Sequence, residues 1–365
     1  MVQEDRKLFK PLKVGDIELK HRVVMAPLTR MRAKEGHVPW EKAVDYYSQR
    51  ASVPGTLLVT EATFISEQAG GYPTCPGIFN DEQVKVWRKV TDAVHEKKSF
   101  IYCQLWALGR TASKEALAAL GHDLVSASDI PMEKGAPTPR PLTTEEVEAY
   151  VQQYATAAKI AMEAGFDGVE LHAANGYLID QFTQDISNKR TDKYGGSIEN
   201  RSRFAIEAIE AIVAAIGASK TGIRLSPWSG FQGMRMEERT IPQFSHLIKN
   251  LPRDLAYIHM IESRVQGGDD QDDNEAESLE FAKALWKGPF LFAGGFKPDI
   301  AIKTAEQDDR SVIVFGRYFI SNPDLVAKLK LGRELTRYNR DTFYTPGEEG
   351  YTDYAVDEEL VSQAA

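Results

Sequence analysis

Cysteine is scarce. Cys75 and Cys103 are the two in 365 residues, and they do not form a Cys-x-x-Cys pair. Iron–sulfur clusters and cysteine-rich zinc sites need such pairs, so both are excluded, no metal site is expected, and a reducing compartment is. Positive charge is also short, with 44 Lys and Arg against 53 Asp and Glu and a net charge of −9. Nucleic acids and anionic membranes attract basic surfaces, so neither is an expected partner and a small molecule is. No apolar run approaches the roughly 20 residues that cross a bilayer. The start, Met1-Val-Gln-Glu-Asp-Arg-Lys7, is charged where a secretory leader is apolar. By elimination the expected location is cytoplasmic, as a monomer or homodimer.

What is present has the balance of an ordinary globular chain, 42% hydrophobic and 27% charged. Residues 8–20 alternate apolar and polar positions around Gly15-Asp16, the pattern of a hairpin with one buried face. Apolar strands then recur at 22–27, 55–60, 99–105, 167–172, 221–226, 255–261, 289–293 and 311–315. Helical stretches follow them at 41–51, 81–97, 143–164, 197–217, 238–250, 275–286, 298–306 and from Pro323, the third opened by the capping pattern Thr143-Thr-Glu-Glu146. A doubly wound sheet would place glycines in its first strand-to-helix turn, and Ala26-Pro-Leu-Thr-Arg30 has none. The expected fold is therefore α/β, a single (β/α)8 TIM barrel over 1–365 with an N-terminal hairpin and an insertion after strand 3. That insertion, 107–141, reads as a lid over the barrel mouth. Residues 333–365 read as a tail anchored by Tyr338, Phe343, Tyr344, Tyr351 and Tyr354, and the acidic run 266–274 as a mobile loop.

The central stretch is Asp167 to Phe182, a short strand that breaks at once into polar residues, as barrel strands do where they enter an active site. His172 and Asn175 can each aim an N–H at one point and hold a carbonyl oxygen as negative charge builds on it. Tyr177 adds a weak acid able to hand a proton to a neighbouring carbon. Other strand ends bring Pro27, Thr29, Glu61, Gln104, Trp106 and Arg224 to the same face. Gly294, Gly295, Gly316 and Arg317 follow the last two strands, where barrels commonly hold a phosphate. Arg224 lies among apolar neighbours and needs a negative partner, either a carboxylate such as Glu61 or Glu170 or a cofactor that becomes anionic.

Six blocks carry a family resemblance: Ala26-Pro-Leu-Thr-Arg-Met-Arg32, Glu67-Gln-Ala-Gly-Gly-Tyr72, Gln104-Leu-Trp106, His172-Ala-Ala-Asn-Gly-Tyr-Leu178, Arg190-Thr-Asp-Lys-Tyr-Gly-Gly-Ser-Ile-Glu-Asn-Arg201 and Gly316-Arg-Tyr-Phe-Ile-Ser-Asn-Pro323. Over nearly its whole length the chain resembles the fungal FMN-dependent ene-reductases of the Old Yellow Enzyme family. The resemblance implies a bound FMN surrounded by Pro27, Leu28, Thr29, Ala62 and Gln104. Arg224 would face the reduced ring, with Gly294, Gly295, Gly316 and Arg317 on the phosphate. It implies NADPH as reductant and an α,β-unsaturated aldehyde or ketone as substrate, its oxygen bound by His172 and Asn175 and its α-carbon protonated by Tyr177. Trp106, Trp228, Phe231 and Tyr344 are the candidate pocket walls. Two alternatives stand beside this: a secondary-metabolism reductase acting on a chanoclavine-type aldehyde, and a non-catalytic flavin redox sensor. In relatives that isomerise without net reduction Phe replaces the proton donor, so Tyr177 points to the reducing type.

Overall fold

Strands buried on both faces cannot alternate apolar and polar residues, and the runs Leu57-Leu-Val59 and Ser311-Val-Ile-Val-Phe315 do not. In the computed structural model, which describes residues 5–266, 269–270 and 277–365, eight strands form β1 (Val23–Met25), β2 (Leu57–Val59), β3 (Phe100–Trp106), β4 (Gly168–Ala173), β5 (Thr221–Leu225), β6 (Tyr257–Ile261), β7 (Phe290–Ala293) and β8 (Ser311–Phe315), with Glu170, His172, Arg224 and His259 as polar interruptions in β4, β5 and β6. Each pairs in parallel with its neighbour, and β8 pairs with β1 to close the ring. This is the expected (β/α)8 barrel. Helices Ala43–Arg50, Asp81–Glu96, Thr144–Glu163, Ile198–Ile216, Thr240–Asn250, Glu280–Leu285, Pro298–Gln307 and Leu325–Lys330 surround it.

Local chemistry fixes the helix starts. Thr143 accepts the Glu146 N–H while the Glu146 side chain accepts the Thr143 N–H, and Asn80 and Gln83 make the same reciprocal pair. Each such cap contributes about 1 kcal/mol. The apolar faces of these helices bury Trp87, Tyr154, Phe204 and Phe244 against the outside of the barrel. A second core fills the inside, where Val24, Leu57, Tyr102, Tyr257, Leu291 and Val312 meet. The hairpin Leu12–Val14/Ile17–Leu19 closes the bottom by adding Val14, Ile17 and Leu19 to that inner core.

Several elements were not expected. A short strand, Thr63–Phe64, lies along Leu105–Trp106, and short helices follow β4 (Leu178–Thr183) and β8 (Arg317–Ser321). Residues 107–141 hold the helix Lys114–Ala119 and the parallel strand pair Val125–Ser126/Arg140–Pro141. The helix expected at 275–286 starts at Glu280, and the acidic stretch 266–274 lies outside the described residues except for the backbone pairing of 265–266 with 269–270.

The tail is held by more than its aromatic rings. Tyr351 stacks on Tyr46 at 4.2 Å, but three buried arginines do most of the fastening. Arg32 donates to the carbonyls of Thr342, Phe343, Gly347 and Glu349 at 2.8–3.1 Å. Arg30 donates to Phe343 and Gly350, and Arg50 to Tyr351. These bonds bring residues 338–344 to the top of the barrel.

Candidate active site

Strand β4 delivers His172 to the barrel mouth and then turns sharply. Asn175 takes a left-handed conformation (φ +57°), which its short polar side chain tolerates, and its N–H donates to Ser226 Oγ at 2.7 Å just past β5. That turn folds Tyr177 back over His172, their rings meeting edge-on at 4.9 Å. Trp106, from the end of β3, stacks on His172 at 6.3 Å and meets Tyr177 edge-on at 4.8 Å. The three groups read from the sequence as a set therefore share one corner, with a tryptophan as its wall.

Beneath them lies a polar layer inside the barrel. Gln104 and Glu170 are cross-strand partners, as are Arg224 and His259. Glu170 is fully buried and accepts from Gln104 Nε2 at 2.7 Å and from His259 Nδ1 at 2.8 Å. Burial opposes charge on Glu170, but His259, Arg224 and Gln104 outweigh it and hold the carboxyl below its usual range. His259 is lowered by burial and stays the neutral donor. Of the two carboxylates considered as partners for Arg224, Glu170 is the one that faces it, while Glu61 faces Arg30 and Arg32 instead. Both Glu170 oxygens are taken, and Arg224 Nε has no hydrogen-bond partner among the described residues.

Electrostatics separate the two polar residues at the corner. Burial, then the charge on Arg224, holds His172 far below the usual imidazole range, so it is neutral and donates through a single N–H. Burial pushes the Tyr177 phenol above its usual range, so at neutral pH it carries its proton.

These residues line a cavity of about 390 Å³. Pro27, Leu28, Thr29 and Ala62 line it from beyond β1 and β2, Gln104 and Trp106 from β3, Arg224 from β5, and His172, Asn175 and Tyr177 from the end of β4 and the turn after it. Gly294, Gly295, Gly316 and Arg317 line it just past β7 and β8, and Phe231 and Tyr344 are its exposed lining residues. Trp228 is a correction. Its ring packs on Phe281 at 6.2 Å and its N–H donates to the Ser278 carbonyl, which turns it away from the cavity. Sequence reading missed Met31, Tyr72, Gln232, Lys297 and the tail residues Tyr338 and Phe343, all of which line the cavity. Tyr72 and Met31 fall inside blocks already singled out; Tyr338 packs on Tyr318 some 20 positions away, while Phe343 meets Arg30 and Arg32 across more than 300 positions. None of the lining residues belongs to 107–141.

The cavity fits a flavin mononucleotide on its own terms. Arg224 Nε and His172 Nδ1 are buried donors or acceptors without partners among the described residues, and so ask for a polar ring system. Just past β7, Gly294 (φ +132°) and Gly295 (φ +61°) adopt conformations that favour glycine and let a phosphate approach the backbone, with Arg317 and Lys297 supplying charge. Pro27 to Thr29 and Ala62 would take one side of the ring, Gln104 its polar edge, and Arg224 the charge that builds on reduction.

Comparisons with known proteins agree. The chain is 52% identical over 361 residues to the chanoclavine-I aldehyde reductase fgaOx3 of Penicillium roqueforti, covering 97% of each chain. It is 50% identical over 368 residues to the NADP-dependent oxidoreductase lnbE of Aspergillus flavus, again with 97% of each covered. The crystal structure of Old Yellow Enzyme from Pichia sp. AKU4542 superimposes with a TM-score of 0.91 at 40% identity, over 97% of this chain and 94% of that one. Residues 7–336 match the family described as NADH:flavin oxidoreductase / NADH oxidase, and the chain belongs to that family as an FMN oxidoreductase of the Old Yellow Enzyme type.

Proposed function

We propose that the protein is an NADPH-driven ene-reductase that saturates the activated C=C bond of α,β-unsaturated aldehydes and ketones. The observation that carries this is the corner itself: a neutral N–H donor, an amide donor and a protonated phenol converge on one cavity, with His172 and Tyr177 4.9 Å apart. Bound FMN, held by Pro27 to Thr29, Ala62, Gln104, Arg224 and the glycines after β7 and β8, would supply the hydride chemistry that links the nicotinamide to the β-carbon. His172 and Asn175 hold the carbonyl oxygen and stabilise the enolate charge that develops there. His172 is too weakly basic to be the acid, so Tyr177 delivers the proton to the α-carbon. Trp106 packs against the rings of both groups and helps hold their orientation.

The name of the relative lnbE supports an NADP-linked reductant, and that of fgaOx3 supports an aldehyde among the substrates. The test is spectroscopic. Purified protein should show a flavin band that NADPH bleaches under nitrogen and 2-cyclohexenone restores. Bleaching that no enone or enal reverses contradicts the reading.

A further inference from the structure

The short helix Leu178–Thr183 is buried at every position, including its acid, Asp180, which is 0% exposed. A fully buried carboxylate on a six-residue helix beside the reacting corner calls for a reason. Its surroundings supply one. Asp180 Oδ2 accepts the Gly176 N–H at 2.9 Å, and Oδ1 accepts Gln184 Nε2 at 2.9 Å. The other end of the Gln184 amide, Oε1, accepts the Arg235 N–H, also at 2.9 Å. The chain of bonds thus starts in the turn that carries Asn175 and Tyr177. It ends in the segment 231–235, whose Phe231 and Gln232 line the outer cavity.

The two segments are also pressed together. Gly176 sits at φ +77°, and a Cβ there would come within 2.9 Å of both Gln232 Cβ and Met234 Cγ. Arg110, buried at the same junction, donates to the Gln232 carbonyl at 3.0 Å, and its charge is the cation that faces Asp180.

We infer that Asp180 is a positioning residue that locks the Asn175–Tyr177 turn to the 231–235 wall, so that carbonyl anchor, proton donor and outer substrate wall keep one fixed relation. The inference rests on the ene-reductase reading. The choice of an acid follows from hydrogen-bond polarity. Both neighbours of Asp180, the Gly176 N–H and Gln184 Nε2, are donors, and Gln184 cannot turn its amide over without facing a second donor at Arg235. An ionised carboxylate is the short side chain that accepts from both. Burial, set against Gln184, the Gly176 N–H and Arg110, leaves the Asp180 carboxyl raised to about 6, so it is charged at neutral pH.

In Asp180→Asn the new amide N–H2 opposes that of Gln184. In the double variant Asp180→Asn/Gln184→Glu every bond is restored with the middle donor reversed. The flavin-bound proteins are titrated with p-hydroxybenzaldehyde, whose phenolate mimics the enolate, and assayed with 2-cyclohexenone. The expected result for Asp180→Asn is retained flavin, at least tenfold weaker phenol binding and at least tenfold lower kcat. The double variant should return both to within about threefold of the wild type. Should Asp180→Asn fail to fold, Gln184→Met cuts the same link at its far end and should weaken phenol binding alike. A lowered Tm with unchanged phenol affinity, or a double variant no better than the single one, overturns the inference. A wild-type protein that binds no phenol overturns the ene-reductase reading instead.

Discussion

Gln104 donates an amide N–H to Glu170 across 2.7 Å, and that bond orients the amide. With one Nε2 hydrogen engaged, Oε1 and the other Nε2 hydrogen remain, and a bound cofactor would meet them. Glu170 also places a negative charge within the field of Arg224. Replacing Glu170 by Gln leaves the Arg224 cation without its counter-charge and should raise the midpoint potential of the bound flavin. A tenfold shift in the two-electron equilibrium is about 30 mV, and a shift of at least that size is expected in dye-equilibrated titrations. An unchanged or lowered potential contradicts this role.

The tail should come loose before the barrel does. Arg32 makes four bonds to tail carbonyls, and removing it in Arg32→Ala leaves those carbonyls to water. Losing hydrogen bonds to a charged group costs about 1.5–3 kcal/mol each at most, less where water replaces them. A net loss of about 2–4 kcal/mol is expected, seen as a lowered Tm. New protease cleavage between 338 and 350 and a raised KM for the enone should accompany it, because Phe343 and Tyr344 wall the cavity. A tail that stays protease-resistant would show that the aromatic stack on Tyr46 suffices.

Glu61 sets a pH dependence of stability. Burial raises its carboxyl from 4.5 to about 7, against the pull of the Arg30 N–H and the charges on Arg30 and Arg32. A folded-state value above the unfolded one means the stabilising state is the protonated one. That contribution is complete below about 4.5 and is lost as pH rises through 7. Glu61→Gln, which keeps an acceptor for the Arg30 N–H, should therefore gain on the wild type between pH 5 and pH 8, by roughly 2–3 kcal/mol. Denaturant midpoints at the two pH values measure it; parallel curves would contradict the shift.

The corrected position of Trp228 separates stability from substrate binding. Trp228→Leu should lower Tm through lost packing on Phe281 yet leave the enone KM within about twofold. Phe231→Ala, at a lining residue that is 38% exposed, should do the reverse and raise KM for enones with bulky apolar substituents. A Trp228 variant with normal stability and a raised KM would return that residue to the cavity wall.

Strands such as β2 and β8 were legible because a parallel strand buried on both faces leaves a nearly unbroken apolar run, and the helix after β3 because Thr143 with Glu146 announces its start in four letters. The corner was legible because His172, Asn175 and Tyr177 are neighbours in sequence as well as in space. Helix Leu178–Thr183 was not, since six residues are less than two turns, too short for the 3.6-residue period to show. Trp228 misled because nearness to Arg224 along the chain does not say which way the loop turns. The arginine fastening of the tail was hidden because Arg30 and Arg32 bond to carbonyls, and a carbonyl acceptor leaves no mark on residue identity.

The central claim is that Tyr177 supplies a proton in the substrate half of the cycle and nothing in the other half. Rapid-mixing measurement of the two halves separately in Tyr177→Phe tests it directly. Bleaching of the flavin by NADPH should proceed at close to the wild-type rate, while reoxidation by 2-cyclohexenone should fall by about 10²-fold or more. Equal loss in both halves, or reoxidation at the wild-type rate, contradicts the account.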